Sequence, residues 1–316
     1  MGLDLRLPIG LYFTLLGIML GAYGLSTNAD AAMYQAKNSG RDRFCRYSAA
    51  ATMYNPGRMS LENDLRQAIE RNELLLNYQP QIDLASHDIC GVEALVRWQH
   101  PERGLITPTE FIPIAEESGL IVPLGEWVLR EAFRQMREWK LLGLPPLRMA
   151  INISALQFRS GNLLGFLADQ LAIYEIDPRQ IELELTESVL MHNVDDVLRT
   201  LQEIKKLGIS LAIDDFGTGF SSLSYLRRFP IDRLKIDQSF IRGIETTPAN
   251  ESIARAIVSL ANSLSLGVVA EGIEESVEMA VLERMHCTEG QGYLFAKPLS
   301  ADDIVTWATS HREKKA

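Results

Sequence analysis

Two hydrophobic periods alternate along the chain from residue 60 onward, and together they predict alternating strands and helices. Short apolar runs, typical of buried strands, fall at residues 74–78, 91–98, 147–153, 181–185, 210–213, 233–236, 267–270 and 292–295. Apolar positions at helical spacing lie at residues 60–69, 109–118, 126–142, 194–207 and 251–266. Seven or so β/α units within about 250 residues predict an α/β fold, a TIM-type (β/α)₈ barrel.

A doubly wound open sheet is the alternative architecture for this alternation of strands and helices. The chain contains neither a GxGxxG motif after its first strand nor a P-loop. The nucleotide-binding versions of the open sheet therefore lose support, and we expect the barrel.

The N-terminal residues do not continue the alternation. No charged residue lies between Arg6 and Asp30, and residues 7–25 are nearly all apolar and about long enough to cross a bilayer. By the positive-inside rule, the cations that begin at Lys37 would keep the rest of the chain in the cytoplasm. A truncation scar is the alternative interpretation of this segment.

Residues 28–59 differ from that apolar segment. A short amphipathic helix is predicted at 29–37, ended by Asn38-Ser39-Gly40, and a linker follows it. We therefore expect an apolar segment at 1–27, a short helical extension with its linker at 28–59, and a main domain at 60–312. The main domain is expected in the cytoplasm, tethered to the inner membrane if residues 7–25 span it.

Charge and cysteine content narrow the classes of partner. Lysine and arginine number 31 against 41 aspartates and glutamates, which gives a net charge of -10. Polymeric nucleic acids bind basic surfaces, so they are not expected as partners; a small phosphorylated ligand held through metal ions is still allowed. Cys45, Cys90 and Cys287 form no CxxC pair, which predicts neither a disulfide framework nor a thiolate zinc site and fits a reducing compartment.

Polar side chains follow or interrupt most of the predicted strands. They are Glu93, Asn152, Glu184 with Glu187, Asp214 with Asp215, Lys235 with Asp237, and Glu271. In a barrel, the C-terminal ends of the strands converge on one mouth. Carboxylates gathered there would repel one another and take up protons unless a divalent cation were bound.

The residue types indicate which cation and which chemistry. The candidate ligand atoms are all oxygens, which suit Mg²⁺ or Mn²⁺. They belong to the side chains of Glu93, Asn152, Glu184 and Asp214. Asp215 could help to hold a second ion, and paired ions are a standard means of hydrolysing a phosphodiester. Lys235 would add a cation beside the developing charge or the attacking water. Any one of these residues alone is more often a cap or a surface group; their recurrence at successive strand ends favours a site.

The same residues carry a family resemblance. Residues 91–98, GVEALVRW, resemble the EAL signature of cyclic di-GMP phosphodiesterases, and the resemblance extends from about Leu61 to Leu299. It includes NIS from Asn152, ELTE from Glu184, DDFGTG from Asp214, LKID from Leu234, EGIE from Glu271 and QGY from Gln291. Residues 28–46 resemble the closing helix of a GGDEF (diguanylate cyclase) domain, but the GGDEF signature is absent, so cyclase activity is not expected.

The resemblance implies a barrel whose first strand is antiparallel to the others, and hydrolysis of cyclic di-GMP to linear pGpG with Mg²⁺ or Mn²⁺. It assigns the first ion to Glu93, Asn152, Glu184 and Asp214. A second ion would share Asp214 and be held by Asp215 and Glu271. Lys235 would position the catalytic water, and Glu271 could also act as a base.

The resemblance also implies substrate contacts and a dimer. Arg97 would contact a substrate phosphate, and Gln79 and Gln291 would lie near the guanines or the metal-side waters; the expected substrate-binding set also contains Asp237 and Glu274. Glu187 would anchor the loop that follows Asp214, which in the family links activity to a homodimer. The alternative function is a catalytically silent cyclic di-GMP receptor that signals through this loop.

Overall fold

The computed structural model describes residues 56–190, 194–219 and 226–313. Two compact units divide the chain between Asp64 and Leu65, and all the strands among the described residues lie in the second. The predicted apolar segment and most of the predicted extension lie outside the described residues. Among those described, no helix has both the length and the apolar content needed to cross a membrane.

The described strands and helices follow the predicted alternation. The strands are β1 Leu74–Asp83, β2 Ile89–His100, β3 Gly104–Ile106, β4 Arg148–Asn152, β5 Ile181–Thr186, β6 Ser210–Phe216, β7 Arg233–Ile236, β8 Gly267–Ala270 and β9 Glu289–Gln291. The helices are α1 Pro56–Ala68, α2 Pro108–Ser118, α3 Ile121–Leu141, α4 Ala155–Arg159, α5 Leu163–Tyr174, α6 Glu187–Leu190, α7 Val194–Lys206, α8 Gln238–Ile241, α9 Pro248–Ser263, α10 Ser276–Arg284 and α11 Ala301–Glu313.

Eight of the described strands close into a ring, which confirms the predicted barrel. Its order is β1-β9-β8-β7-β6-β5-β4-β2, and β1 pairs back onto β2. Strand β1 is antiparallel to both neighbours, whereas the strands from β2 through β4 to β9 run parallel. The expected antiparallel first strand is therefore confirmed. Strand β3 extends β2 as a hairpin outside the ring.

Strand alternation divides the barrel wall into an apolar outer face and a polar inner face. In β4, Met149 and Ile151 belong to the hydrophobic core, which lies between the strands and the surrounding helices. In β1, the ring of Tyr78 points outward and meets Trp139 of α3 edge-on at a centroid distance of 4.8 Å. The neighbouring side chain, Gln79, points into the barrel, where it hydrogen-bonds Gln291 of β9. The interior is thus left to polar groups, and the site forms there.

One predicted strand was wrong. Residues 292–295 were expected to be extended, but β9 ends at Gln291 and a turn follows, closed by backbone hydrogen bonds from Phe295 and Ala296 to the Gly292 carbonyl. The Gly292 backbone lies against Ile273, so a Cβ here would come within 2.1 Å of the Ile273 carbonyl oxygen. The apolar run misled because the approach of Gly292 to Ile273 is a tertiary contact, which hydrophobic period does not encode.

We expect Gly292→Ala to destabilise the protein, because the added methyl group would meet the Ile273 backbone, which cannot rotate away. Overpacking of this kind costs about 1–3 kcal/mol. Thermal unfolding followed by circular dichroism should show a lower Tm. Gly165→Ala is the matched control: Gly165 lies within α5, where a Cβ would have only Asn162 Oδ1 nearby, at 3.9 Å. That change should raise stability by about 0.5–1 kcal/mol. Equal Tm values for the two variants would contradict the expectation.

Candidate active site

Residues from well-separated strands meet inside the C-terminal mouth of the barrel. Lys235 near the end of β7 contacts Glu93 of β2 and Glu184 of β5, which are not neighbours of β7 in the sheet. Such contacts across the ring are possible only because each side chain occupies an inward position of its strand. The predicted convergence of these three residues is therefore observed.

The ammonium of Lys235 is the centre of this mouth. Its Nζ lies 2.7 Å from Glu184 Oε2, 2.7 Å from Glu271 Oε1, 3.1 Å from Asp214 Oδ1 and 3.6 Å from Glu93 Oε2. The Lys235 side chain is 0% exposed. We call Glu93, Glu184, Asp214 and Glu271 the carboxylate cluster.

The carboxylate cluster holds more negative charge than one ammonium can balance. Burial raises the pKa of Glu184 well above its ordinary value, although Lys235 opposes this. Burial likewise raises the pKa of Glu271 to about 8, with Asp214 and Glu93 adding to the effect and Lys235 opposing it. Burial alone would lower the pKa of Lys235, but the surrounding carboxylates raise it well above the usual value. The lysine is therefore charged, and the cluster has a deficit of positive charge.

Both oxygens of Glu93 are held by amide donors. Asn152 Nδ2 donates to Glu93 Oε1 at 2.7 Å, and Gln291 Nε2 donates to Glu93 Oε2 at 2.6 Å. Gln291 Nε2 also donates to Gln79 Oε1 at 3.0 Å. Because the Asn152 amide nitrogen is used in this way, its oxygen Oδ1 is the atom that could bind a cation.

A second group of carboxylates lies at the edge of the mouth. One oxygen each from Asp214, Asp215 and Glu271 lie within 4.8 Å of one another. Asp215 has a left-handed backbone with φ of 52°, a conformation that aspartate tolerates better than most residues. Its pKa is raised, first by partial burial and then by the neighbouring Asp214 and Asp237 carboxylates. Asp237, which was expected to bind substrate, therefore lies beside this second group.

The donor set fits divalent cations that prefer oxygen. Glu184 Oε1 is buried and has no hydrogen-bond partner among the residues that the structure describes, although such an atom normally has one. A bound cation would satisfy it and would balance the excess charge of the carboxylate cluster. Oxygen donors of this kind suit Mg²⁺ or Mn²⁺.

A groove of about 200 Å³ opens from the carboxylate cluster. Its lining includes the expected residues Gln79, Glu93, Glu271, Glu274 and Gln291, and also Leu95, Gln238, Arg242, Gly272, Gly292 and Tyr293. Glu274 is paired with Arg242, their Oε1 and Nη2 atoms being 2.6 Å apart. Sequence analysis did not identify Gln238, Arg242 and Tyr293 as groove residues. Of these three, only Tyr293 belongs to a recognised motif, QGY, which could have indicated its place in the groove.

Two further expected residues have clear local contacts. Arg97 is half-buried and lies on the same face of β2 as Glu93. Its Nη1 donates to the Val96 carbonyl at 2.8 Å, and burial lowers the pKa of its guanidinium.

The buried carboxylate of Glu187, at the start of α6, packs against Gly219, where a Cβ would lie 3.0 Å from Glu187 Oε2. Glu187 thus contacts the segment after Asp214 and lies outside the carboxylate cluster.

Comparisons with known proteins identify relatives of this chain. The chain is 43% identical over 281 residues to the bifunctional diguanylate cyclase/cyclic di-GMP phosphodiesterase MucR of Pseudomonas aeruginosa, covering 89% of this chain and 41% of that protein. It is 45% identical over 280 residues to the cyclic di-GMP phosphodiesterase PdeR of Escherichia coli, covering 89% and 42%. The chain therefore spans about two fifths of the length of these curated relatives.

A solved structure and a family description cover the barrel itself. The PaMucR phosphodiesterase in its c-di-GMP complex superposes with a TM-score of 0.75 at 44% identity, over 78% of this chain and 99% of that one. The description of the EAL domain matches residues 62–298. That match spans the whole ring of strands and every residue of the carboxylate cluster, and the chain belongs to the EAL domain family.

Proposed function

We propose that this chain is a phosphodiesterase that uses Mg²⁺ or Mn²⁺ to hydrolyse cyclic di-GMP to linear pGpG. The observation that carries the proposal is the buried carboxylate cluster, whose negative charge one lysine does not balance. The names of the relatives MucR and PdeR, and the ligand of the PaMucR structure, support cyclic di-GMP as the substrate. A receptor without activity is not favoured, because every residue expected for metal binding and catalysis is present.

The proposed metal sites follow the two carboxylate groups. Glu93, Asn152, Glu184 and Asp214 would hold the first ion, and Asp214, Asp215 and Glu271 would hold the second. When bound, such ions polarise the phosphodiester and make water a stronger nucleophile at neutral pH. Placing the ligands on separate strands fixes their spacing, because the hydrogen bonds of the barrel hold the strands in register.

The residues around the water have separate roles in the proposed reaction. The water oxygen would form a bond to phosphorus while the bond from phosphorus to the ribose O3′ breaks. O3′ would take up a proton to become a hydroxyl, which leaves a 5′-phosphate on pGpG. The carboxylate of Glu271 would take the proton that the water loses. Lys235, whose Nζ is 2.7 Å from Glu271 Oε1, would hold this carboxylate and position the water.

The groove would bind the substrate beside these groups. Arg97 offers its guanidinium to a phosphate, and Asp237 and Glu274 complete the proposed contacts. Gln291 donates to Gln79 Oε1 and to Glu93 Oε2, so in this proposal Gln79 and Gln291 support Glu93 and the nearby waters more directly than they read a guanine. Glu187 would anchor the loop after Asp214 through its packing on Gly219.

The proposed setting is a homodimer whose barrel lies in the cytoplasm. Cys90 and Cys287 are both free thiols, which fits a reducing compartment. Part of the loop proposed to form the dimer, residues 220–222, lies outside the described residues, as does the proposed membrane segment at 7–25. The dimer and the tether to the inner membrane therefore stay predictions.

Purified protein incubated with cyclic di-GMP and Mn²⁺ should produce pGpG, detected by anion-exchange chromatography. Glu93→Ala should lower the rate by more than the roughly 10- to 100-fold that loss of an outer-shell partner costs, because it removes a proposed ligand. Asp169→Asn, an exposed carboxylate on α5, is the control and should keep the wild-type rate. Cyclic di-GMP that binds without being cleaved by the folded wild-type protein would contradict the proposal and favour a receptor.

In the metal-free protein, Glu271→Gln should raise the Tm, and the increase should grow from pH 5 to pH 8. The pKa of Glu271 rises from its usual 4.5 to about 8 on folding, so the folded state binds more protons than the unfolded state across this range. The free energy of unfolding of the wild type therefore falls as the pH rises. Glu271→Gln has no carboxyl group to titrate at this position, so its free energy of unfolding does not show this decrease.

Differential scanning fluorimetry in EDTA would measure this effect, with Asp169→Asn as the control that should show no such trend. At saturating Mn²⁺ the wild type should instead have a higher Tm than Glu271→Gln, because it has one more ligand for the ion and binds it more tightly. A Tm difference that stays constant between pH 5 and pH 8 would rule out the charge excess as its cause.

A further inference from the structure

A second set of charges fills the opposite, N-terminal end of the barrel interior. Arg233 Nη1 donates to Glu182 Oε2 at 2.6 Å, and Arg148 Nε forms an ion pair with Glu182 Oε1 at 3.2 Å. Arg233 Nε lies 3.2 Å from Glu289 Oε1. Arg148 also pairs with Glu289. We call these four residues the lower ion cluster. Two arginines face two glutamates, so this cluster is balanced in charge, unlike the carboxylate cluster above it.

Two carboxamides join the lower ion cluster to the carboxylate cluster. Arg148 Nη2 donates to Gln81 Oε1 at 2.9 Å, and Gln81 Nε2 donates to Gln291 Oε1 at 3.0 Å. Gln291 Nε2 then donates to Glu93 Oε2 at 2.6 Å. We call Gln81 and Gln291 the amide relay. It lies where β1 and β9 pair, and Gln81 and Gln291 are direct partners in that register.

The charged groups at its two ends fix the direction of the amide relay. A guanidinium can only donate hydrogen bonds, so Arg148 requires the carbonyl oxygen of Gln81 to face it. An ionised carboxylate can only accept, so Glu93 requires the NH₂ group of Gln291. Each carboxamide therefore has one orientation that satisfies both of its neighbours, and turning either one would place two acceptors or two donors in contact.

The barrel wall is built to accommodate Gln81. Its side chain is 0% exposed, and Gly91 of β2 lies directly beside it. A Cβ at Gly91 would come 2.9 Å from Gln81 Oε1 and 3.0 Å from the Arg148 backbone oxygen. The missing side chain at Gly91 leaves the space in which the Gln81 carbonyl meets Arg148.

We propose that Gln81 is a positioning residue for Glu93. Its donation to Gln291 Oε1 holds the Gln291 amide with its NH₂ group toward Glu93, which fixes one carboxylate oxygen while Asn152 fixes the other. The inference rests on the proposed function, in which Glu93 binds a divalent ion. A ligand held from both sides enters the metal site in one orientation, and loss of such outer-shell partners typically weakens metal binding about 10- to 100-fold.

Two substitutions separate this role from simple packing. Gln81→Met keeps a similar volume but removes both hydrogen bonds. Gln81→Glu keeps the shape and the bond with Arg148, but it cannot donate to Gln291 Oε1. Gln170→Met is the matched control, since Gln170 is a buried glutamine of α5 that takes no part in the amide relay.

The test is titration of the full metal-free chain with Mn²⁺, with free Mn²⁺ measured by electron paramagnetic resonance. Both Gln81 variants should bind Mn²⁺ about 10- to 100-fold more weakly, and Gln170→Met should match the wild type. Hydrolysis of cyclic di-GMP by the variants should recover as Mn²⁺ is raised to saturation, which a damaged fold would not do. Circular dichroism checks that each chain is folded, and Gln81→Glu serves if Gln81→Met does not fold.

The outcomes distinguish this inference from the proposed function. Wild-type Mn²⁺ affinity in a folded Gln81 variant would overturn the positioning role and leave the proposed function intact. Equal weakening in the Gln81 variants and in Gln170→Met would also overturn it, because the cause would then be general loosening of the barrel. A wild-type chain that binds no Mn²⁺ would overturn both.

Discussion

One buried ammonium imposes the main constraint on this barrel. Lys235 is completely enclosed, and removing its charge from water would cost several kcal/mol without carboxylate partners. The partners come from β2, β5 and β6 and from the residue after β8, so satisfying one lysine requires that the ring be closed and in register. The same arrangement gathers more negative charge than the lysine balances, and that excess is what a divalent ion could use.

The two ends of the barrel interior have different electrostatic states. The lower ion cluster matches two arginines with two glutamates, so its charges balance. The carboxylate cluster sets four carboxylates against one lysine and leaves Glu184 Oε1 without a hydrogen-bond partner among the described residues. A balanced network stabilises, whereas an unbalanced one at an open mouth is typical of a functional site. The amide relay connects the two, so the rigid end of the barrel orients a group at the reactive end.

Several strand bounds and site residues could be predicted from the amino-acid sequence. Strands at 233–236 and 267–270 were predicted with the observed bounds, because a short apolar run between turn signals specifies a buried strand. The members of the carboxylate cluster were also identified, since parallel strands bring their C-terminal ends together. The turn at 292–295 was missed, because the approach of Gly292 to Ile273 is set by a distant segment. The roles of Gln81 and Arg148 could not be predicted from the sequence, because they depend on contacts with residues of other strands.

The sequence by itself predicted most of the strands, favoured a barrel over an open sheet, and identified which side chains stand at the strand ends. These follow from hydrophobic period and strand alternation, which are local properties of the chain. Only the tertiary structure decided that Lys235 lies between four carboxylates, that Asp237 lies beside Asp215, and that Gln81 faces Gln291. Distances between residues far apart in sequence depend on strand register and barrel closure, and these emerge only when all the strands pack together.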